Sequence, residues 1–112
     1  MKTGLNNKIR TAGLSLAIAT LAALPLGSAH AAGSDLAEKY GCMGCHKVEK
    51  KGMGPAFKDI AAKYKGDAAA PGKLLTSVKS GSTGTWGPKK MAAQGDAPEA
   101  DVKVIIAWVM GL

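Results

Sequence analysis

The chain has 112 residues, enough for one small domain, and its composition already argues against one common class of partner. Three of its seven net positive charges come from Lys2, Lys8 and Arg10, so the rest of the chain carries only +4. That remainder has twelve lysines and no arginine, whereas nucleic-acid binding would call for arginine-rich patches. We therefore expect no nucleic-acid partner.

The N-terminal residues have the pattern of a secretory signal peptide. The three basic residues precede an apolar stretch over Ala12–Leu24, and Ala29-His30-Ala31 has the small-x-small form of a signal peptidase site. The stretch is too short and too interrupted to span a bilayer core of roughly 30 Å, so we expect no stable membrane insertion. Cleavage after Ala31 would divide the chain into a signal peptide, 1–31, and one exported domain of 81 residues, 32–112.

The exported domain shows helical periodicity and no convincing strand. Four helices are expected, over about Asp35–Met43, Ala56–Tyr64, Ala69–Lys79 and from Pro98 to about Gly111. Ser34 is a plausible N-cap for the first helix, and Asp96 with Glu99 would form a capping box for the last. The glycine-rich segments Lys51–Pro55 and Ser80–Pro88 are expected to be irregular loops.

The core of this domain is expected to be thin. A chain of this size buries only roughly 60% of the surface that it exposes when unfolded, so its fold often needs a disulfide, a metal or a cofactor for stability. Only five aromatic residues are available to fill it. We therefore expect something other than side chains to occupy its centre.

The segment CMGCH contains Cys42, Cys45 and His46 in the arrangement that attaches c-type haem. Two thiols one helical turn apart can add to the two vinyl groups of one porphyrin, while the adjacent imidazole lies under the iron. One short segment would thus anchor the macrocycle and supply an axial ligand.

Three other interpretations of these cysteines have less support from the sequence. A disulfide between Cys42 and Cys45 closes too small a loop to explain how the domain stays folded. A thioredoxin-like redox pair needs a βαβ context, and no strands are predicted. A structural zinc site needs four ligands, and the predicted mature chain offers only three because His30 leaves with the signal peptide.

From Ser34 to its end, the chain resembles the class I c-type cytochromes, in particular the small bacterial monohaem periplasmic cytochromes of the c-551/c-552 type. The resemblance is carried by GCMGCH, GMGPAFKDIAAKY, GSTGTWGPKKM and VIIAWVMGL, in the order of the family. It implies an all-α fold, with four or five short helices wrapped around one covalently attached haem c.

The resemblance also implies roles for individual residues. His46 would be the proximal iron ligand, and the carbonyl of Pro55 would accept the other imidazole N–H, as partners of metal-bound histidines usually do. Met91 would be the distal ligand through its sulfur. Trp86 would direct its indole N–H toward a haem propionate. Gly41 would let the first and last helices approach closely, with Tyr40, Ile105 and Trp108 packed nearby.

The segment around Met91 departs from the family pattern. Related loops usually hold prolines beside the ligand methionine, whereas Lys89-Lys90 precede Met91 here and Ala92-Ala93 follow it. Because proline restricts the unfolded chain, we expect this segment to be looser than the proline-containing loops of the family.

A histidine and methionine pair fills both axial positions, which suits electron transfer and leaves no open site for a substrate. We therefore expect a one-electron carrier rather than an enzyme. The first alternative is a five-coordinate haem protein with ligand-binding or peroxidase-like activity. The second is a non-haem exported binding or thiol-redox module.

The expected partners are redox proteins of a periplasmic respiratory chain, such as a terminal oxidase, a nitrite reductase, a quinol-oxidising complex or a dehydrogenase. We expect the carrier to be a monomer. Lysines following the haem motif and preceding Met91 could steer an acidic partner, although each could equally be a solubilising charge. These lysines are Lys47, Lys50, Lys51, Lys89 and Lys90.

Overall fold

A computed structural model describes residues 27–112 and, upstream of them, Gly13. The basic residues and nearly all of the apolar stretch of the predicted signal peptide lie outside these described residues. The elements, in chain order, are α1 (Gly27–Lys39), a 3-10 turn (Cys42–Gly44), α2 (Phe57–Lys63), α3 (Ala70–Ser80), β1 (Ser82–Gly84), β2 (Gly87–Met91) and α4 (Glu99–Met110).

The described chain is mostly helical, as predicted, but the prediction of an irregular loop over Ser80–Pro88 is wrong. The segment forms an antiparallel hairpin in which Ser82 pairs with Met91 and Thr83 with Lys90. Gly84 and Gly87 flank its turn with φ of 85° and 103°, which residues with a side chain rarely adopt. Glycine and proline are poor strand formers, so the composition pointed away from a strand.

The ends of two helices also differ from the prediction. Helix α1 begins before Ser34, which lies inside it rather than capping it, and ends at Lys39, short of the expected Met43. Helix α4 begins at Glu99, and no side chain caps its N-terminus. The expected capping box is not formed because Pro98, and not Asp96, occupies the N-cap position; the Glu99 carboxylate pairs with Lys103 at 2.8 Å.

Helix α4 forms the centre of the core. The apolar period of this helix predicts a buried face formed by Val102, Ile105, Ile106 and Val109 and widened by Val104 and Trp108. All of these side chains are buried except Val104, which is 38% exposed. Phe57 and Ile60 of α2 and Leu74 of α3 pack into the same cluster. The core is thin, since Val102 is the one large side chain of the described residues that is less than 2% exposed.

Helices α1 and α4 pack closely, but through a different glycine from the one predicted. A Cβ on Gly33 would lie 2.1 Å from the Trp108 Cβ, so only glycine fits there. A Cβ on Gly41 would meet no described atom within 4 Å; Gly41 is instead required by its φ of 75°, which turns the chain out of α1. Nearby, the Tyr40 hydroxyl donates to Asp101 Oδ2 at 2.6 Å.

Within the described part of the chain, no helix combines the length and apolar character needed to cross a bilayer.

Candidate haem-binding site

The cysteine and histidine side chains of the CMGCH segment are brought together by one tight turn. The carbonyl of Cys42 accepts hydrogen bonds from the backbone N–H of Cys45 at 3.2 Å and of His46 at 2.9 Å. Gly41, in the left-handed conformation, reverses the chain after α1 and lets this turn begin. Two thiols and one imidazole are therefore held within a single turn of backbone.

Both cysteines are free thiols, so the disulfide considered from the sequence is absent. Cys42 is half-buried and Cys45 is exposed. Burial raises the pKa of the Cys42 thiol, and the neighbouring Cys45 adds to the rise, whereas a backbone hydrogen bond opposes it. The Cys42 sulfur is therefore protonated at neutral pH.

His46 is buried, and its ring is fixed from three directions. Its Nδ1 lies 2.8 Å from the carbonyl oxygen of Pro55, as the family resemblance led us to expect. A carbonyl can only accept, so Nδ1 carries a proton, and in the neutral ring Nε2 is the nitrogen whose lone pair can bind a metal. Phe57 stacks on the imidazole with centroids 5.0 Å apart and planes inclined by 16°. A Cβ on Gly54 would lie 2.7 Å from His46 Cε1.

The loop between His46 and α2 is closed by backbone hydrogen bonds. The Gly54 N–H donates to the Cys45 carbonyl at 2.9 Å, and a Cβ on Gly52 would lie 2.7 Å from the same oxygen. The Phe57 N–H donates to the Lys47 carbonyl at 2.9 Å. The loop thus delivers the Pro55 carbonyl and the Phe57 ring to the imidazole as one folded unit.

Met91 is the last residue of β2 and is half-buried. Its partner across the hairpin is Ser82, and Gly81, with φ of 80°, passes so close that a Cβ there would lie 2.7 Å from the Met91 carbonyl oxygen. The backbone of Met91 is therefore restrained by an ordered strand, whereas the lack of flanking prolines led us to expect a looser segment.

Trp86 lies in the turn of the hairpin and is 36% exposed. The Lys63 ammonium lies 5.3 Å from the centroid of the indole ring, a distance that permits a cation–π interaction. The indole N–H of the hairpin turn and the positive charge at the end of α2 thus lie close together, a pair suited to an anionic group.

These residues fit a covalently attached haem better than the other groups considered. The donor set contains two free thiols and an imidazole whose Nδ1 is held by Pro55, which leaves Nε2 as the nitrogen that can bind a metal. Across the described residues, no three His, Cys, Asp or Glu side chains cluster as a metal site of the zinc type would require. The thin core is consistent with a fold completed by a prosthetic group.

Sequence reasoning missed two contributors to the site. Gly54 was predicted only as part of an irregular loop, whereas its lack of a side chain makes room for His46. The helical period places Phe57 on the apolar face of α2 but does not show that its ring also supports the imidazole. The spacing of GMGPAF after the haem motif was the available signal, but it does not reveal which atoms come into contact.

The fold and this constellation are those of a c-type cytochrome, and comparison with known proteins agrees. The family model for cytochrome c matches residues 30–112, and the chain belongs to that family. It is a small monohaem cytochrome of the electron-carrying class, and its relatives are carriers rather than enzymes.

Among its relatives, cytochrome c-551 of Allochromatium vinosum is 48% identical over 77 residues, which cover 69% of this chain and 82% of the relative. Cytochrome c-552 of Nitrosomonas europaea is 43% identical over 81 residues, covering 72% and 79%. The crystal structure of the wild-type Nitrosomonas europaea cytochrome c552 superposes with a TM-score of 0.69, covering 70% of this chain and 98% of that one.

Proposed function

We propose that the chain is a periplasmic carrier that takes up and releases one electron at a single haem c, between redox proteins of a respiratory chain. Cys42 and Cys45 would hold the haem through thioether bonds, and His46 and Met91 would be the two axial ligands. The signal peptide, 1–31, would direct export before the domain, 32–112, takes up its haem. When bound, the haem supplies an iron that cycles between ferric and ferrous states.

The observation that carries this proposal is the hydrogen bond from His46 Nδ1 to the Pro55 carbonyl. It selects the tautomer in which Nε2 is unprotonated, and it makes the imidazole a better electron donor. The Phe57 stack and the contact at Gly54 oppose rotation of the ring. A ligand fixed in this way needs little rearrangement when the iron changes charge.

Two further residues have supporting roles in the proposal. Trp86 would donate its indole N–H to a haem propionate, and the Lys63 ammonium over its ring would add positive charge beside that anion. Met91 would supply a neutral sulfur, a soft ligand that favours the ferrous state and raises the potential. If His46 and Met91 both bound the iron, neither oxygen nor peroxide would have a place to bind.

The test is Met91→Ala in the haem-loaded protein. We expect the haem to remain covalently attached, the reduction potential to fall, and the ferrous variant to bind carbon monoxide promptly. The wild-type ferrous protein should bind carbon monoxide slowly or not at all. Lys103→Ala, a change on an exposed lysine of α4, serves as the control and should leave both properties unchanged.

Prompt carbon monoxide binding by the wild-type protein would favour the alternative function, a five-coordinate haem protein with ligand-binding or peroxidase-like activity. An unchanged potential in Met91→Ala would assign the sixth ligand elsewhere. Purification of the periplasmic fraction, with N-terminal sequencing of the haem protein, tests both the export and the cleavage after Ala31.

A further inference from the structure

The C-terminal end of α3 contacts the segment that follows Met91 at several points. The Gln94 N–H donates to the carbonyl of Val78 at 2.8 Å. A Cβ on Gly81 would lie 3.1 Å from the Ala93 nitrogen as well as close to Met91. The backbone that carries Met91 into the link to α4 therefore lies against the end of α3.

Lys79, in the last turn of α3, makes the strongest of these contacts. Its ammonium donates to the carbonyl of Gly95 at 2.6 Å and to that of Ala97 at 2.5 Å. Both are hydrogen bonds from a charged donor, which are stronger than those between neutral groups. Ala97 is itself buried in the core, so one end of this link is anchored.

The geometry of Lys79 differs from that of the other bonded lysines around it. Lys73 pairs with Asp67, and Lys103 pairs with Glu99, on exposed surface where such pairs contribute little. Within the described residues, Lys79 has no carboxylate within salt-bridge distance and is half-buried against backbone carbonyls. Its contacts therefore restrain the chain rather than pair surface charges.

We propose that Lys79 is a positioning residue that holds the Met91 segment against α3 and so keeps the Met91 sulfur on the iron. The inference rests on the proposed axial ligation. The segment from Met91 to Ala97 has no proline to limit its freedom, and Lys79 supplies the restraint by joining its far end to a helix. Without these bonds, the segment would swing away more often and uncover the sixth coordination position.

The test is Lys79→Met, which keeps the length of the side chain and removes its donors. The rate at which imidazole binds to the ferric, haem-loaded protein reports how often Met91 leaves the iron. We expect this rate to rise at least tenfold. Amide hydrogen exchange at Gln94 and Ala97 should accelerate in the same variant, which provides a readout independent of the iron.

Two controls separate positioning from a general loss of stability. Lys73→Met removes a lysine of the same helix that does not touch the Met91 segment. Tyr40→Phe removes the bond to Asp101 and lowers stability at the α1–α4 contact. Both should bind imidazole within about twofold of the wild-type rate.

The proposal is overturned if Lys79→Met binds imidazole no faster than the wild type, or only as fast as Tyr40→Phe. Failure of the proposed ligation itself would be seen in the wild-type protein. Its ferric form would lack the charge-transfer absorption of a methionine-bound iron and would bind imidazole immediately.

Discussion

Replacing Gly54 by alanine should disturb His46 directly, because the added methyl group would lie 2.7 Å from His46 Cε1. Carbon atoms in contact normally sit ~3.5–4.0 Å apart, so the ring would have to move by about 0.8 Å. Phe57 stacks on the ring and limits its retreat. A shift of that size along the 2.8 Å bond to Pro55 would stretch it to about 3.6 Å, beyond the ~3.2 Å limit of an N–H···O bond.

The cost of such overpacking is ~1–3 kcal/mol. In a domain of this size, a loss of 1 kcal/mol lowers the midpoint of thermal unfolding by ~4–8 °C, so a fall of about 4–24 °C is expected. A weaker bond to Pro55 also makes the imidazole a poorer donor, which should raise the reduction potential of the haem-loaded protein. Thermal unfolding followed by circular dichroism and a potentiometric titration measure the two effects.

The matched control is Gly72→Ala. Gly72 lies inside α3, where a Cβ would meet nothing within 4 Å, so alanine should stabilise the helix by up to ~1 kcal/mol. The proton on His46 Nδ1, followed by NMR, should exchange faster in Gly54→Ala and remain protected in Gly72→Ala. If both variants melt at the wild-type temperature or above and keep that proton protected, the proposed support of His46 by Gly54 is refuted.

Two further predictions concern the helix contact and the lysines. Gly33→Ala places a methyl group 2.1 Å from Trp108 Cβ, so α1 must move away from α4. We expect the free energy of unfolding, measured by denaturant titration, to fall by ~1–3 kcal/mol. The reduction potential should change little. Replacing Lys89 and Lys90 together by glutamine should slow electron transfer to an acidic redox protein at low salt, with the difference vanishing at high salt; equal rates at low salt would leave these lysines only a solubilising role.

The parts of the site that the sequence predicted best are those encoded within a few residues. The turn holding Cys42, Cys45 and His46 is local, and the apolar period of α4 correctly marked the buried side chains of that helix. The bond from His46 to Pro55 spans nine residues and was expected only through the family resemblance.

The remaining features depend on contacts between residues far apart in the chain. Gly33 and Trp108 are 75 positions apart, and nothing near either residue shows that they touch. The family resemblance pointed to Gly41 for the close approach, whereas the structure uses that glycine for its positive φ. Lys79 likewise marked only the end of a predicted helix, and nothing near it in the sequence shows that it contacts the carbonyls of Gly95 and Ala97.

The segment around Met91 shows why composition alone was a poor guide to rigidity. Without flanking prolines it was expected to be loose, since proline lowers the entropy of the unfolded chain. The folded chain restrains the same backbone in another way. Met91 itself pairs with Ser82, and the residues after Met91 are held by the Val78 carbonyl, which accepts from Gln94, and by the Lys79 ammonium, which donates to Gly95. Proline restricts the backbone in the unfolded and the folded chain alike, whereas these hydrogen bonds restrain it only after α3 and the hairpin have formed. In the proposed ligation, retention of the Met91 sulfur on the iron should therefore depend on the integrity of α3, so a change that frays the end of that helix would release Met91 before it unfolds the domain.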